Sequence, residues 1–290
     1  MSKTNYSAAR SRKRRQLADR LMSCLTMVCV AISVIPLVSI LGYLIYKGAG
    51  AINWDFLTKL PAPVGASGGG MANSIVGTGI VVGLAVLIGV PIGVLAGVYL
   101  AEYGRQSRLG RSVRFFADVM QGIPSIVVGI VAYTLVVLPM QRFSAIAGAV
   151  ALAMILIPFV CRTTEEALAA TPHDLREAGL ALGQPQWRVT LGIVMRAARN
   201  ALVTGIMLAA ARISGETAPL LFTALNNRFW HSGIDQPIST LTVQVYTYAI
   251  APFDDWNAQA WSGALVLIAI IFVLNVVART AARSKYVERS

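Results

Sequence analysis

Six stretches of mostly apolar residues, each close to the length that crosses a lipid bilayer, govern what this chain can fold into. They run roughly over 21–46, 73–100, 115–138, 143–161, 199–223 and 258–279. A spanning helix needs about 20 such residues. Composition agrees, with 56% hydrophobic and 13% charged residues against about 25% charged in soluble domains. A chain this apolar cannot hide its side chains in one core and still coat itself with polar groups. The expectation is an all-α integral membrane protein with six transmembrane helices. The third and fourth runs almost merge, separated by Pro139, Gln141, Arg142 and Ser144. Pro139 stops a helix and Arg142 is costly in lipid, so a tight turn is expected there. The first run is longer than the apolar core of a signal peptide, about 7–15 residues, and reads as an uncleaved span.

The charges are placed by topology. Cations cluster in a basic N-terminal tail over 1–20, in the loop after the second run (Arg105, Arg108, Arg111, Arg114), and in the loop after the fourth (Arg162, Arg176, Arg188, Arg196, Arg199). The tail over 280–290 adds Arg283, Lys285 and Arg289, just beyond Arg279. Six spans put all of these on one side, leaving Lys47, Lys59, Arg142 and Arg228 on the other. By the positive-inside rule both termini are cytoplasmic, flanking a permease-like domain over 21–279. The net charge of +12 therefore marks a membrane protein in contact with lipid, and no nucleic-acid partner is expected.

Catalytic and metal chemistry find little support. Cys24, Cys29 and Cys161 show no ligand spacing, and His173 and His231 are isolated. Neither H-E-x-x-H nor a serine with a nearby base occurs, and no phosphate-cradling G-x-x-x-x-G-K-[ST] loop is present. No catalytic residue, metal or cofactor is expected, and any ATP must be bound by another subunit. The second run is rich in glycine, with Gly79-x-x-x-Gly83 and Gly89-x-x-x-Gly93 at the spacing of close helix packing. Pro91 and Pro124 mark kinks, and segments 47–72 and 224–257 read as ordinary polar connections.

The loop over about 162–198 carries more information. Thr171 suits an N-cap, Pro172 a first helical position, and Asp174 and Glu177 the positive end of the helix dipole. Leu175, Ala178, Gly179 and Leu182 fall at i, i+3, i+4 and i+7, Gly183 suits a left-handed C-terminal cap, and a second helix starts near Pro185 and Trp187. Such a pair of short helices either rests on the membrane or fits a groove on another protein.

Here the residues resemble a known family. Glu177-Ala178-Gly179-x-x-x-Gly183, with Ile193 ten residues on, resembles the EAA loop of type I ABC importer permeases. In that family the loop supplies cytoplasmic coupling helices that enter clefts on the nucleotide-binding subunits. Two positions depart from the pattern: Gly179 stands for alanine, and Met195-Arg196 for the usual Leu-Pro, removing the expected proline bend into the fifth span. Ile75-Val76-Gly77-Thr78, Tyr99-Leu100-Ala101-Glu102-Tyr103, Gly122-Ile123-Pro124-Ser125-Ile126-Val127 and Gly215-Glu216-Thr217-Ala218-Pro219-Leu220-Leu221 together resemble the A-type permease subunit of the phosphate-specific ABC importer. The resemblance implies phosphate uptake across the bacterial cytoplasmic (inner) membrane. It also implies a sister C-type permease, a cytoplasmic ATP-binding subunit dimer and an extracytoplasmic phosphate-binding protein.

Arg212 and Glu216 lie inside the fifth run, four apart, and so share one helical face, with Thr217 beside them. Charges within a span usually face a bundle interior or a water-filled path. Arg212 lies about 20 Å past Arg199 along a helix and offers paired donors suited to an oxyanion. The residues leave two roles open, an anion path or a structural ion pair, and sulfate suits the same arginine. A secondary transporter driven by an ion gradient is a further reading, although it would not require the long two-helix loop. Glu102 and Asp118 are expected to pair with arginines of the loop between them, while Arg162, Glu165 and Glu166 sit at the exit of the fourth span.

Overall fold

The computed structural model describes residues 3–283 except 65 and 67. The segment 284–290, with Lys285 and Arg289, lies outside the described residues. Helix α1 (Lys3–Gly48) joins the basic N-terminal segment to the first apolar run. Over residues 18–47 it is almost wholly exposed, and it is fastened at its far end to the last helix, α14 (Asp254–Arg283). There Ser262 donates to the Gly48 carbonyl at 2.7 Å, and Tyr43 meets Trp261 edge-on at 5.2 Å.

The centre of the molecule is the pairing of α3 (Ala72–Val98) with α7 (Ala145–Ala169). Gly89 and Gly93 face Leu156 and Val160, and a Cβ on Gly97 would lie 2.6 Å from that of Thr164. Small residues let the two backbones meet where lipid gives no hydrophobic drive between helices. Gly79 and Gly83 face open space, so that pair packs against nothing among the described residues. Around the seam lie Val81, Ala85, Leu152, Ala209, Ile213 and Leu220. Pro91 is held inside an unbroken α3, which then widens into a π turn over Tyr99–Tyr103.

Two of the six runs are broken rather than continuous. The third divides into α4 (Arg108–Gly122) and α5 (Ser125–Ala132), the latter continuing through a π turn at Tyr133–Val137 into α6 (Leu138–Met140). The two halves are bent by 106°. The kink expected at Pro124 within the 115–138 run is a full break: Pro124 drives Ile123 into an extended conformation, as a residue before proline prefers. The expected turn follows, with Gln141 left-handed and Ser144 capping α7 by accepting from the Ala147 amide at 3.1 Å. The fifth run is also shorter than expected. Helix α11 (Arg199–Ser214) ends before an irregular Gly215–Thr217 segment, and α12 (Ala218–Leu221) follows. Among the described residues four helices are long and apolar enough to cross a membrane, and up to six spans result when each bent pair counts as one.

The 162–198 loop folds as two helical units. The first is α8 (His173–Ala181); the second comprises α9 (Gln186–Val189), a π turn over Thr190–Val194, and α10 (Met195–Ala197). Gly183 has φ of +74°, the left-handed cap expected of it. The N-cap is Pro172, one position later than expected, because the Thr171 hydroxyl instead donates back to the Ala167 carbonyl at 3.4 Å. The chain then bends by 74° at Ala198. No proline is needed, since Ala198 itself leaves regular helical geometry, with φ −79° and ψ −3°.

The segments at the opposite end are not simple polar connections. Helix α2 (Trp54–Thr58) buries Phe56, and Pro61 bridges to Gly69. Helix α13 (Leu241–Ala249) is tied to α3 by the Leu241 amide on the Thr78 hydroxyl (2.8 Å). Ser74 with Ser239 (2.7 Å) and Asn73 with the Asn227 carbonyl (2.6 Å) add two more links. Buried polar groups need partners, and these connections supply them to one another.

Candidate functional site

A cavity of about 130 Å³ lies between the α4–α5 break and the end of α11 with the irregular segment after it. Met120, Gln121, Ile123 and Ser125 line it from the α4–α5 break, Arg212 and Glu216 from α11 and the segment after it, and Ile155 from α7. Arg212 is in the last turn of α11, its guanidinium 5.5 Å from the centre of the Phe159 ring. Because the helix ends at Ser214, Arg212 and Glu216 do not share a helical face, and among the described residues they form no ion pair. That corrects the shared face, favours the anion-path role over the structural ion pair, and leaves the Arg212 guanidinium to the cavity. The Glu216 carbonyl, released by the helix break, accepts from the Thr242 hydroxyl at 3.1 Å. Thr217 lies outside the cavity lining, where its carbonyl accepts from the Leu220 and Leu221 amides.

Gln121 and Ser125 line this candidate site and were missed by sequence reasoning. The only signal was their position beside Pro124, a helix breaker within a span. The break also begins a new helix. The Val127 and Val128 amides bond to the Pro124 carbonyl, so Ser125 and Ile126 carry the amides that a helix start leaves without partners, and the positive end of the dipole lies at the cavity. A guanidinium, a primary amide, a hydroxyl and a helix N-terminus thus surround one small space, a donor set suited to an oxyanion.

The second candidate surface is the 162–198 loop. Gly179 faces inward, where a Cβ would lie 2.9 Å from the Val189 and Ile193 side chains, so glycine lets α8 settle on the following helical unit. Leu175, Leu180 and Leu182 point outward, Leu182 being 81% exposed, and Trp187 stands beside them. Ala178 and Glu177 are exposed on the same short helix. The expected apolar stripe is thus divided, with Gly179 turned into the protein and the leucines presented outward. Beneath it Ala101, Leu168, Val189, Val194, Ala198 and Leu202 form a small core.

The ion pairs at this end differ from those expected. Glu102 pairs with Arg176 at 2.7 Å, not with the arginines that follow it in the chain. Asp118 pairs with Arg162 at 3.0 Å, and Glu165 receives both Arg162 (2.8 Å) and Arg114 (2.6 Å). Glu165 is therefore one centre of a half-buried network rather than a simple membrane-exit charge.

Comparison with known proteins places these features in a family. Residues 89–284 match the family described as binding-protein-dependent transport system inner membrane component. A phosphate transport system permease protein PstA from Haemophilus influenzae is 47% identical over 266 residues, covering 91% of this chain and 94% of that protein. The Yersinia pestis protein of the same name is 41% identical, covering 91% and 90%. A probable phosphate transport system permease protein PstA from Methanocaldococcus jannaschii is 34% identical, covering 92% and 94%. Among solved structures, an inward-facing MetNI methionine ABC transporter chain aligns with a TM-score of 0.58 at 19% identity, covering 73% of this chain and 92% of that one. With its broken spans and paired loop helices, this multi-pass chain belongs to the binding-protein-dependent transport system inner membrane component family and, within it, groups with the PstA permease proteins.

Proposed function

We propose that this chain is the membrane-spanning permease subunit of an ATP-driven inorganic phosphate importer and forms half of the translocation path. The observation that carries the reading is the donor set around one cavity: Arg212, unpaired with Glu216, faces Gln121, Ser125 and the N-terminus of α5. Arg212 would hold the oxyanion by paired, charge-assisted hydrogen bonds, with Glu216 at the rim limiting how tightly it is held. Thr217 would act through the helix break, by shaping the backbone around Glu216. The names of the relatives supply phosphate as the particular oxyanion, since sulfate fits the same donors.

The chain takes no cofactor in this reading and hydrolyses no ATP itself. The 162–198 loop, with Glu177, Ala178, Gly179 and Gly183, would dock on a cytoplasmic ATP-binding subunit dimer. A sister C-type permease would complete the path, and an extracytoplasmic phosphate-binding protein would deliver the ion at the opposite end. This places the loop and both termini on the cytoplasmic side of the inner membrane. The outward-facing leucines of α8 support docking over an ion-gradient mechanism, which has no use for them.

Reconstitution with these partners tests the reading. ATP hydrolysis and uptake are measured while phosphate, sulfate and the binding protein are each varied. Hydrolysis that responds to sulfate, or uptake that proceeds without ATP, would replace phosphate or the energy source respectively. Within the assembled complex, Arg212→Ala removes hydrogen bonds to a charged ligand worth about 1.5–3 kcal/mol. Uptake should then fall by about tenfold or more. Unchanged uptake in an assembled variant would remove Arg212 from the path.

A further inference from the structure

Glu102 stands where four elements meet. It lies in the π turn that ends α3. Its Oε1 accepts from Arg176 Nη2 at 2.7 Å and Nε at 3.0 Å, and Arg176 belongs to α8. The same guanidinium continues onward, Nη2 donating to the Leu168 carbonyl in the last turn of α7 at 2.7 Å. Nη1 donates to the Thr171 carbonyl, between α7 and α8, at 2.8 Å. From the other side, Gln186 at the start of α9 donates to the Glu102 carbonyl at 3.0 Å. One residue at the end of a spanning helix therefore holds both helical units of the loop, across separations of 74 and 84 residues.

The pair is sheltered, with the two side chains 6% and 13% exposed. A solvent-exposed ion pair contributes little and changes geometry freely. A sheltered guanidinium engaging a carboxylate and two helix-end carbonyls fixes direction as well as distance. The arrangement answers a mechanical need. The leucines of α8 face outward, so α8 rests on the protein chiefly through its Gly179 face and this pair, with His173 on Arg105 at its start. The pair is the direct side-chain tie from α8 to the π turn that ends α3; the Gly179 packing reaches that turn only indirectly, through the α9 unit that Gln186 holds.

We propose that Glu102 and Arg176 form a strut that carries displacement of the loop into α3 and α7, so that movement of a docked partner shifts the walls of the path. The proposal rests on the docking role given to the loop above. Glu102 is a positioning residue: it touches neither the docked partner nor the transported ion. Its substitution should separate the hydrolysis of ATP from the movement of phosphate.

The test uses the complete reconstituted transporter and reads phosphate transported per ATP hydrolysed, together with retention of the ATP-binding subunit. Glu102→Gln keeps the shape and one acceptor but removes the charge. It should retain the ATP-binding subunit and its hydrolysis while lowering the transport ratio by about tenfold, within the range usual for coupled sites. Arg176→Lys keeps a cation beside Glu102 but cannot span the carboxylate and both carbonyls, and should lower the ratio in the same direction. Uptake and hydrolysis falling in equal proportion, or an unchanged ratio, would overturn the strut. Failure of both variants to assemble would also overturn it, since it would assign the pair to folding alone. If the unsubstituted chain fails to retain the ATP-binding subunit, the docking role itself falls, an outcome distinct from all the others.

Discussion

Gly97 shows how narrow the tolerance of the central seam is. A Cβ there would lie 2.5 Å from the carbonyl oxygen of Cys161, and backbone cannot move aside as a side-chain tip can. Gly97→Val should cost about 1–3 kcal/mol by overpacking, seen as a lower thermal midpoint of the purified complex. Gly79→Ala, on a face open within the chain, should leave the midpoint nearly unchanged in the isolated subunit. The sequence marks both glycines alike, because spacing reveals a face but not what stands against it. Arg212 was legible because a cation deep in an apolar run has few places to go. Its neighbours Gln121 and Ser125 were not, since small polar residues beside a proline carry no such signal. The partner of Glu102 was equally hidden. Sequence proximity favours the arginines just after it, whereas the fold brings Arg176 from 74 residues away.

At the scale of elements, the helices of the 162–198 loop were largely readable. Gly183 and Pro185 mark its corner whatever surrounds it, because each constrains its own φ. The tertiary consequence was less readable, because an apolar stripe does not say whether it meets its own protein or another. Leu182 and Trp187 are exposed, so replacing them should not disturb the fold. Leu182→Asp should weaken capture of the ATP-binding subunit by about tenfold or more, as loss of an interface anchor commonly does, with the helical content of the chain unchanged. Binding of the partner at several concentrations, followed alongside circular dichroism, would check both halves of that expectation. The breaks in the third and fifth spans were only half visible. Pro36, Pro91 and Pro158 stay inside helices, while Pro124 sits at a break. Gly122 just before it lowers the cost of ending a helix there.

At the scale of the molecule, composition and run length were enough for the helical membrane fold, and charge placement was enough to propose an orientation. In a background lacking Cys24, Cys29 and Cys161, Leu182→Cys should react with an impermeant thiol reagent only from the cytoplasmic side. Val64→Cys, also exposed, should react only from the other. Labelling of both from one side would refute the six-span orientation. The distribution of contacts was beyond the sequence: α1 is held by its last turns against α14, whereas α3 and α7 are locked along the seam. The segments opposite the loop were also underread, because Asn, Ser and Thr are equally at home in a hydrated turn and in a buried network.

The bend of 74° at Ala198 gives the chain an elbow between the loop and the fifth span. A straight rod would pass a thrust end to end and drive the span along its own axis, into or out of the bilayer. An elbow behaves as a bell crank: a thrust along one arm has only a small component along the other, and the remainder turns the second arm sideways. For α11 that sideways turn would be felt most at its far end, where Arg212 borders the cavity.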